Sequence, residues 1–195
     1  TKTLSNLAFN HIALNNTSEA LPLLRRAIAA EVRFIQREVP AMPRQQRGQL
    51  IATLSDRHLT PFPLATASTA SAELALFSRL NRKGLLQEIE QRQAQLASLP
   101  SAQQLLTQLR SLTARLSNLQ LSPPQRQQLR QQRDALERQL YQLLPSLSPR
   151  VVDITQVAAQ LPARSALLEF QRFSPYEATG LQGQRFAPPR YLALV

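Results

Sequence analysis

Apolar residues along most of this chain recur three and four positions apart, the spacing of one helical face, and give way near the end to short strand-like runs. Over residues 4–39 two such stretches are separated by Asn15, Asn16, Thr17 and Ser18. Leu4, Leu7, Ala8, His11 and Ile12 share one face, and Ala20, Leu24, Ala27 and Ile28 share another. The pattern predicts a helical hairpin whose small residues Ala8, Ala20 and Ala27 let the two backbones approach closely. His11 on that face reads as a packing residue.

Pro40, Pro43, Pro61 and Pro63 then bracket an expected helix over residues 45–58, with Leu50, Ile51 and Leu54 on one side. The stretch 64–72 is low in charge and rich in small residues, which fits a close-packed helix or a linker. From 72 to 99 the residues Leu74, Phe77, Leu80, Leu85, Ile89 and Leu96 keep helical spacing. Leu105, Leu109, Leu112, Leu116 and Leu119 then step by 4, 3, 4 and 3, the seam of a coiled coil. Pro100-Ser101 either kinks this helix or ends one and caps the next, whereas Ser122-Pro123-Pro124 is a firmer stop and restart. A returning helix over 125–144 carries Leu129, Leu136, Leu140 and Leu143, its seam interrupted by Arg126 and Arg133. A long antiparallel hairpin is the expected product.

Pro145 and Pro149 end the helical region. Asp153 followed three residues later by Gln156 has the spacing of a capping box, opening a short helix with Ile154, Val157, Ala158 and Leu161 on one face and Pro162 beyond it. Residues 165–173 and 190–195 read as strands joined by a loop containing Gly180 and Gly183. The expected fold is therefore mostly α: a tetratricopeptide-like hairpin over 1–40, a connecting helix and linker over 41–71, a long antiparallel coiled-coil-like hairpin over 72–148, and a small, incomplete α/β segment over 149–195. An apolar strand left unpaired is an aggregation hazard. The run from Tyr191 to Val195 is accordingly expected to be poorly ordered or to pair with another chain, and the sequence, which opens at Thr1, reads as a piece of a longer polypeptide.

Composition narrows the chemistry. The 195 residues include no Cys, which removes disulfides, thiolate metal sites and a cysteine nucleophile. His11 and His58 lie far apart without metal-ligand spacing. No apolar run approaches the roughly 18 residues of a membrane span, so neither a membrane nor a cofactor is expected, and the compartment expected is the cytoplasm. The formal charge of +11 comes almost wholly from arginine, Lys2 and Lys83 being the two lysines. Between Glu90 and Asp134 there is no acidic residue, while Arg92, Arg110, Arg115, Arg126, Arg130 and Arg133 fall inside the interval. These six form the candidate interaction face. It reads either as a site for nucleic acid or another polyanion or as a solvated helix surface in which Arg130 with Asp134, and Arg133 with Glu137, pair along the helix. No aromatic residue interleaves them, which argues against stacking on single-stranded nucleic acid. Asp153, Glu169 and Glu177 could suggest acid–base chemistry, but Asp153 is better explained as a helix cap and Glu169 lies inside a strand pattern.

The order of parts, together with the segments SNLAFNHIAL, EALPLLRRAIA, LNRKGLLQE, ALLEFQRFSPY and PPRYLALV, resembles the junction region of bacterial CHAT proteins, in which tetratricopeptide repeats precede a caspase-like peptidase domain. The resemblance implies a parent whose His-Cys dyad attacks a scissile carbonyl. Neither dyad residue has a match here, so no catalytic residue is carried over. What the resemblance transfers is a noncatalytic scaffold role: recognition of a protein partner, or restraint of a downstream caspase-like domain. A basic helical module for nucleic acid is the alternative.

Overall fold

The computed structural model describes residues 2–39, 49–50, 60–118, 120–143, 145, 148–175 and 187–195. The helix expected over 45–58 lies outside them except for Gln49 and Leu50, which are helical, and so do His58, Leu119, Glu177, Gly180 and Gly183. The described elements are α1 (Lys2–Ala13), α2 (Thr17–Glu38), α3 (Pro61–Leu64), α4 (Thr69–Arg82), α5 (Leu85–Ser98), α6 (Pro100–Leu116), α7 (Pro123–Leu143), α8 (Ile154–Ala158), β1 (Glu169–Phe173) and β2 (Arg190–Leu194). The chain is mostly helical with one two-stranded antiparallel sheet, as the apolar spacing leads one to expect.

These elements form two compact units that are discontinuous in sequence. One comprises Thr1–Arg33, Gly48–Lys83 and Val151–Val195; the other comprises Phe34–Arg47 and Gly84–Arg150. In the first, α1 ends where Asn15 adopts a left-handed conformation, φ 61°. The amides of Asn15 and Asn16 donate to the carbonyls of Ile12 and His11, which satisfies the last helical acceptors in a Schellman arrangement. Ala8 and Ala20 are completely buried where α1 meets α2, beside Leu24, Ile28 and Val32 of α2 and Leu74 and Phe77 of α4. Leu7 departs from its expected inward position and is 45% exposed. The buried arc of α1 is centred on Ser5, Ala8 and Ile12, and a residue one position before Ala8 falls a hundred degrees around the helix from it.

The stretch 64–72 resolves into the end of α3, a turn and the start of α4, where the Ser68 hydroxyl accepts from the Ser71 amide at 3.2 Å. The helical run expected from 72 to 99 is interrupted. Gly84 takes φ 74° at the start of α5, a conformation that a side chain would strain even though a Cβ there would meet nothing closer than 3.9 Å.

The capping box of α8 forms as read: Asp153 accepts from the Thr155 amide, and the Gln156 side chain accepts from the Asp153 amide. β1 and β2 pair with Glu169 opposite Leu194 and Phe173 opposite Arg190. The run at Tyr191 to Leu194, expected to be disordered or to join another chain, is instead paired within its own chain. A partner strand eighteen or more residues upstream satisfies one edge of its backbone. One face of the sheet, through Phe173, Leu192 and Leu194, packs on Phe62 of α3, Ala65 at its C-cap, and Ala75 and Leu76 of α4.

In the second unit, Leu99 is extended (φ −115°, ψ 111°), so the Pro100-Ser101 step ends α5 and restarts the chain as α6 with proline at its first position. Pro123 likewise opens α7. α6 and α7 form the antiparallel hairpin, its core made of Leu96, Ala102, Leu106, Leu109 and Leu140 with Leu105, Leu136 and Tyr141 against it. The seam is rotated slightly from the expected one: Ala102 and Leu106 are buried, Leu105 sits at its flank and Leu143 is exposed. Each fully buried leucine contributes about 1.5–3 kcal/mol.

Candidate interaction surfaces

The six arginines of the candidate basic face do not share one environment. Arg92 is 4% exposed and its guanidinium donates to Glu88 at 2.6 Å. It stands three residues after Ile89 and four before Leu96, both buried, so it belongs to the apolar stripe of α5. That position was legible in the spacing. Arg133 is also largely enclosed, 3.1 Å from Glu38 and 3.3 Å from Glu137. Arg126 donates to the carbonyls of Leu116 and Asn118 at 3.4 and 3.3 Å, placing its positive charge at the C-terminal end of α6. Arg110, Arg115 and Arg130 are exposed. Arg133 pairs with Glu137 as the helical spacing predicts, while Asp134 accepts from Arg37 at 2.7 Å.

Arg92 and Arg133 are part of a network at the base of the hairpin. Arg37, in the last turn of α2, donates to Glu137 at 2.6 Å as well as to Asp134, and Glu137 is shared by Arg37 and Arg133. A small open cleft lies here, lined among others by Arg37, Glu38, Arg92, Glu137 and Tyr141. Burial pushes the Glu137 carboxyl above its ordinary value; Arg37 and then Arg133 oppose that, and the neighbouring Glu38 adds to it. Burial also pushes the Tyr141 hydroxyl up to about 12, with Glu137 reinforcing the shift. The balance of four acids (Glu38, Glu88, Asp134, Glu137) against Arg37, Arg92, Arg133 and the more distant Arg150 marks a structural ion network.

The acidic residues of the other unit are structural in the same sense. Asp153 caps α8 and pairs with Arg25 at 2.6 Å, and the Arg25 guanidinium also lies 4.2 Å from the centre of the Phe77 ring. Its carboxyl is held below the usual range, chiefly by the hydrogen bonds from the Thr155 hydroxyl and amide. Glu169, facing inward from β1, accepts from Lys83 at 2.6 Å and Arg79 at 3.3 Å. Burial would raise its carboxyl, but Lys83 and Arg79 outweigh that and hold it below the ordinary value. Glu31 and Arg82 face each other at 3.4 Å in the interior, where burial lowers the Arg82 guanidinium to about 10 against the attraction of Glu31. Asn81 bonds both ways to the backbone of Val152, at 2.8 and 2.7 Å, and ties the returning chain to α4. None of these pairings left a periodic signal in the sequence.

Large apolar side chains, by contrast, stand outside. Leu7 and Leu14 of the first hairpin are a heptad apart and exposed, Leu14 at 70%. On the sheet, Leu168, Phe170 and Tyr191 are exposed, at 49%, 56% and 74%. Among the described residues no group of three or more acidic or histidine side chains is arranged to hold a metal ion, and no helix is long and apolar enough to cross a membrane. No family model matches the chain, and neither the curated proteins nor the solved structures contain a significant match to it.

Proposed function

We propose that the chain is a noncatalytic protein-recognition and scaffold region, part of a CHAT-like protein whose peptidase chemistry would reside in a caspase-like domain. One observation carries the reading: carboxylates are turned inward, with Glu31, Glu38 and Glu169 buried, while Leu14, Phe170 and Tyr191 face solvent. Such an inversion gives internal charge a cross-linking task and leaves apolar area for a partner. The exposed row of Leu7 and Leu14 also suits a repeat hairpin that stacks against a neighbouring element.

A photo-reactive side chain placed at Leu14 or at Phe170, in cells that express the chain, tests this. Discrete protein adducts are expected at either position and none at the exposed polar control Gln131. Absence of protein adducts at both positions would refute the recognition role. The basic-module reading is favoured by the exposure of Arg110, Arg115 and Arg130. It requires binding to duplex DNA whose affinity falls steeply with salt and falls again when these three are replaced by Gln.

A further inference from the structure

The two faces of the β1–β2 sheet are inverted relative to an ordinary half-covered sheet. Antiparallel sheets with one solvated face place polar residues outward. Here the covered face carries Glu169 and Gln171 beside Phe173, Leu192 and Leu194, and both polar groups need partners from α4: Arg79 reaches each of them. The opposite face carries Leu168 and Phe170 of the first run and Tyr191 and Ala193 of the second, with Phe170 directly across from Ala193 and Arg172 directly across from Tyr191. All of these side chains are exposed. The outward face is thus the more apolar of the two, and a two-stranded sheet gains much of its stability from covering such a face.

We infer that this outward face is a docking site for a short amphipathic helix, presented by another protein, whose polar flanks are acidic. The inference rests on the recognition role proposed above and assigns it a surface and a partner chemistry. Dimensions favour a helix: two strands about 4.8 Å apart, read over alternate residues at about 3.4 Å rise, present a strip that one helix about 10 Å across covers in two to three turns. Charge selects the partner. Arg172 is the charged residue among the outward positions of the paired strands; Arg190, opposite Phe173, alternates to the other side, and so does the one carboxylate in these strands, Glu169, which is engaged by Lys83 and Arg79. A second copy of this chain would bring arginine against arginine on a protein of formal charge +11, which opposes self-association through the same face.

The probe is a labelled fourteen-residue model peptide with leucine on one helical face and glutamate on the other, titrated by fluorescence anisotropy into the whole chain. A second peptide carries lysine in place of glutamate. The glutamate peptide is expected to bind and the lysine peptide to bind far more weakly. Phe170→Asp and Tyr191→Asp, both at exposed sites and checked for unchanged helicity by circular dichroism, are each expected to weaken binding about tenfold or more. Arg172→Glu should reverse the preference between the two peptides. Equal binding by the Phe170→Asp variant, failure of the glutamate peptide to bind, or a dimer in sedimentation that Phe170→Asp dissolves would each overturn the assignment. Protein adducts that persist from Leu14 in any of those events leave the recognition role standing and remove the sheet face alone from it.

Discussion

Two glutamates in this molecule have nearly the same partners and opposite acidities. Glu169 in the first unit accepts from Lys83 at 2.6 Å and Arg79 at 3.3 Å, and its carboxyl is held low; Glu137 in the second lies 2.6 Å from Arg37 and 3.3 Å from Arg133, and its carboxyl is pushed up. Solvent exposure does not order them, because the Glu169 side chain is the less exposed of the two, 5% against 13%. What differs is the covering material. Glu169 is screened largely by its own cationic partners, one of which, Lys83, is 57% exposed, so water lies just beyond them. Glu137 faces a cleft walled by Leu106, Leu109 and Leu140, and it has a second acid, Glu38, nearby. A thin cationic cover lets pairing win; a thick apolar wall with a like charge lets desolvation win.

Removing a shared cation should strain the second cluster most. Arg133→Met leaves Glu38 and Glu137, each mostly enclosed, with one fewer counter-charge. The expected loss is about 3 kcal/mol at neutral pH, read as a lower urea midpoint, with much of it regained when the carboxyls are protonated. A loss below about 0.5 kcal/mol would mean that the network is solvated. Glu169→Gln should cost less, about 1–2 kcal/mol, because Lys83 can swing into water once its acceptor has gone. A larger loss for Glu169→Gln than for Arg133→Met would reverse the comparison.

Acid titration sharpens it further, since the two groups should act on stability with opposite sign. The depressed Glu169 carboxyl stabilises the fold fully above its unfolded value, near the ordinary 4.5, and that contribution disappears as pH falls through its lower folded value. The raised Glu137 carboxyl incurs no penalty below that ordinary value; a penalty develops as pH rises toward its folded value and is complete above it. Carbon-detected NMR titration of the glutamate side chains should therefore find one midpoint below and one above the ordinary value. Two midpoints on the same side would refute the distinction between the two covers.

How much of this was readable in advance divides along the same line. Contacts within one element were legible: the Asp153 and Gln156 capping box, the Arg133–Glu137 pair and the proline restart at α7 each depend on residues four or fewer positions apart, while the spacing around Pro100 left a kink and a restart equally open. Contacts that build the units were not. Arg25 meets Asp153 across 128 positions and Lys83 meets Glu169 across 86, and nothing periodic marks either pair. The discontinuous units follow from such pairings, which is why a reading along the chain yields consecutive segments instead. The inverted sheet face lies between these cases: alternation separated Leu168, Phe170 and Tyr191 from their neighbours, but which set faced inward depended on α4 being there to receive Glu169.

The smallest expected effect concerns the arginines that take no part in either cluster's ion pairs. Arg115 and Arg130 are exposed near the loop end of the α6–α7 hairpin, whereas Arg92 is buried among Ile89 and Leu96 and paired with Glu88. Arg115→Gln and Arg130→Gln should each change stability by no more than about 0.5 kcal/mol, since an exposed guanidinium exchanges one hydrated polar group for another. Arg92→Gln removes a charge from an enclosed stripe and leaves Glu88 facing it, so its cost should clearly exceed both. Urea unfolding of the three variants in one buffer decides the matter. If all three are alike, arginines in this interval form a single solvated surface after all, and burial at Arg92 has no energetic weight. If Arg92 stands apart, whatever the hairpin binds through its basic residues is bound by Arg110, Arg115 and Arg130, and the remaining three of the six serve to hold the helices together.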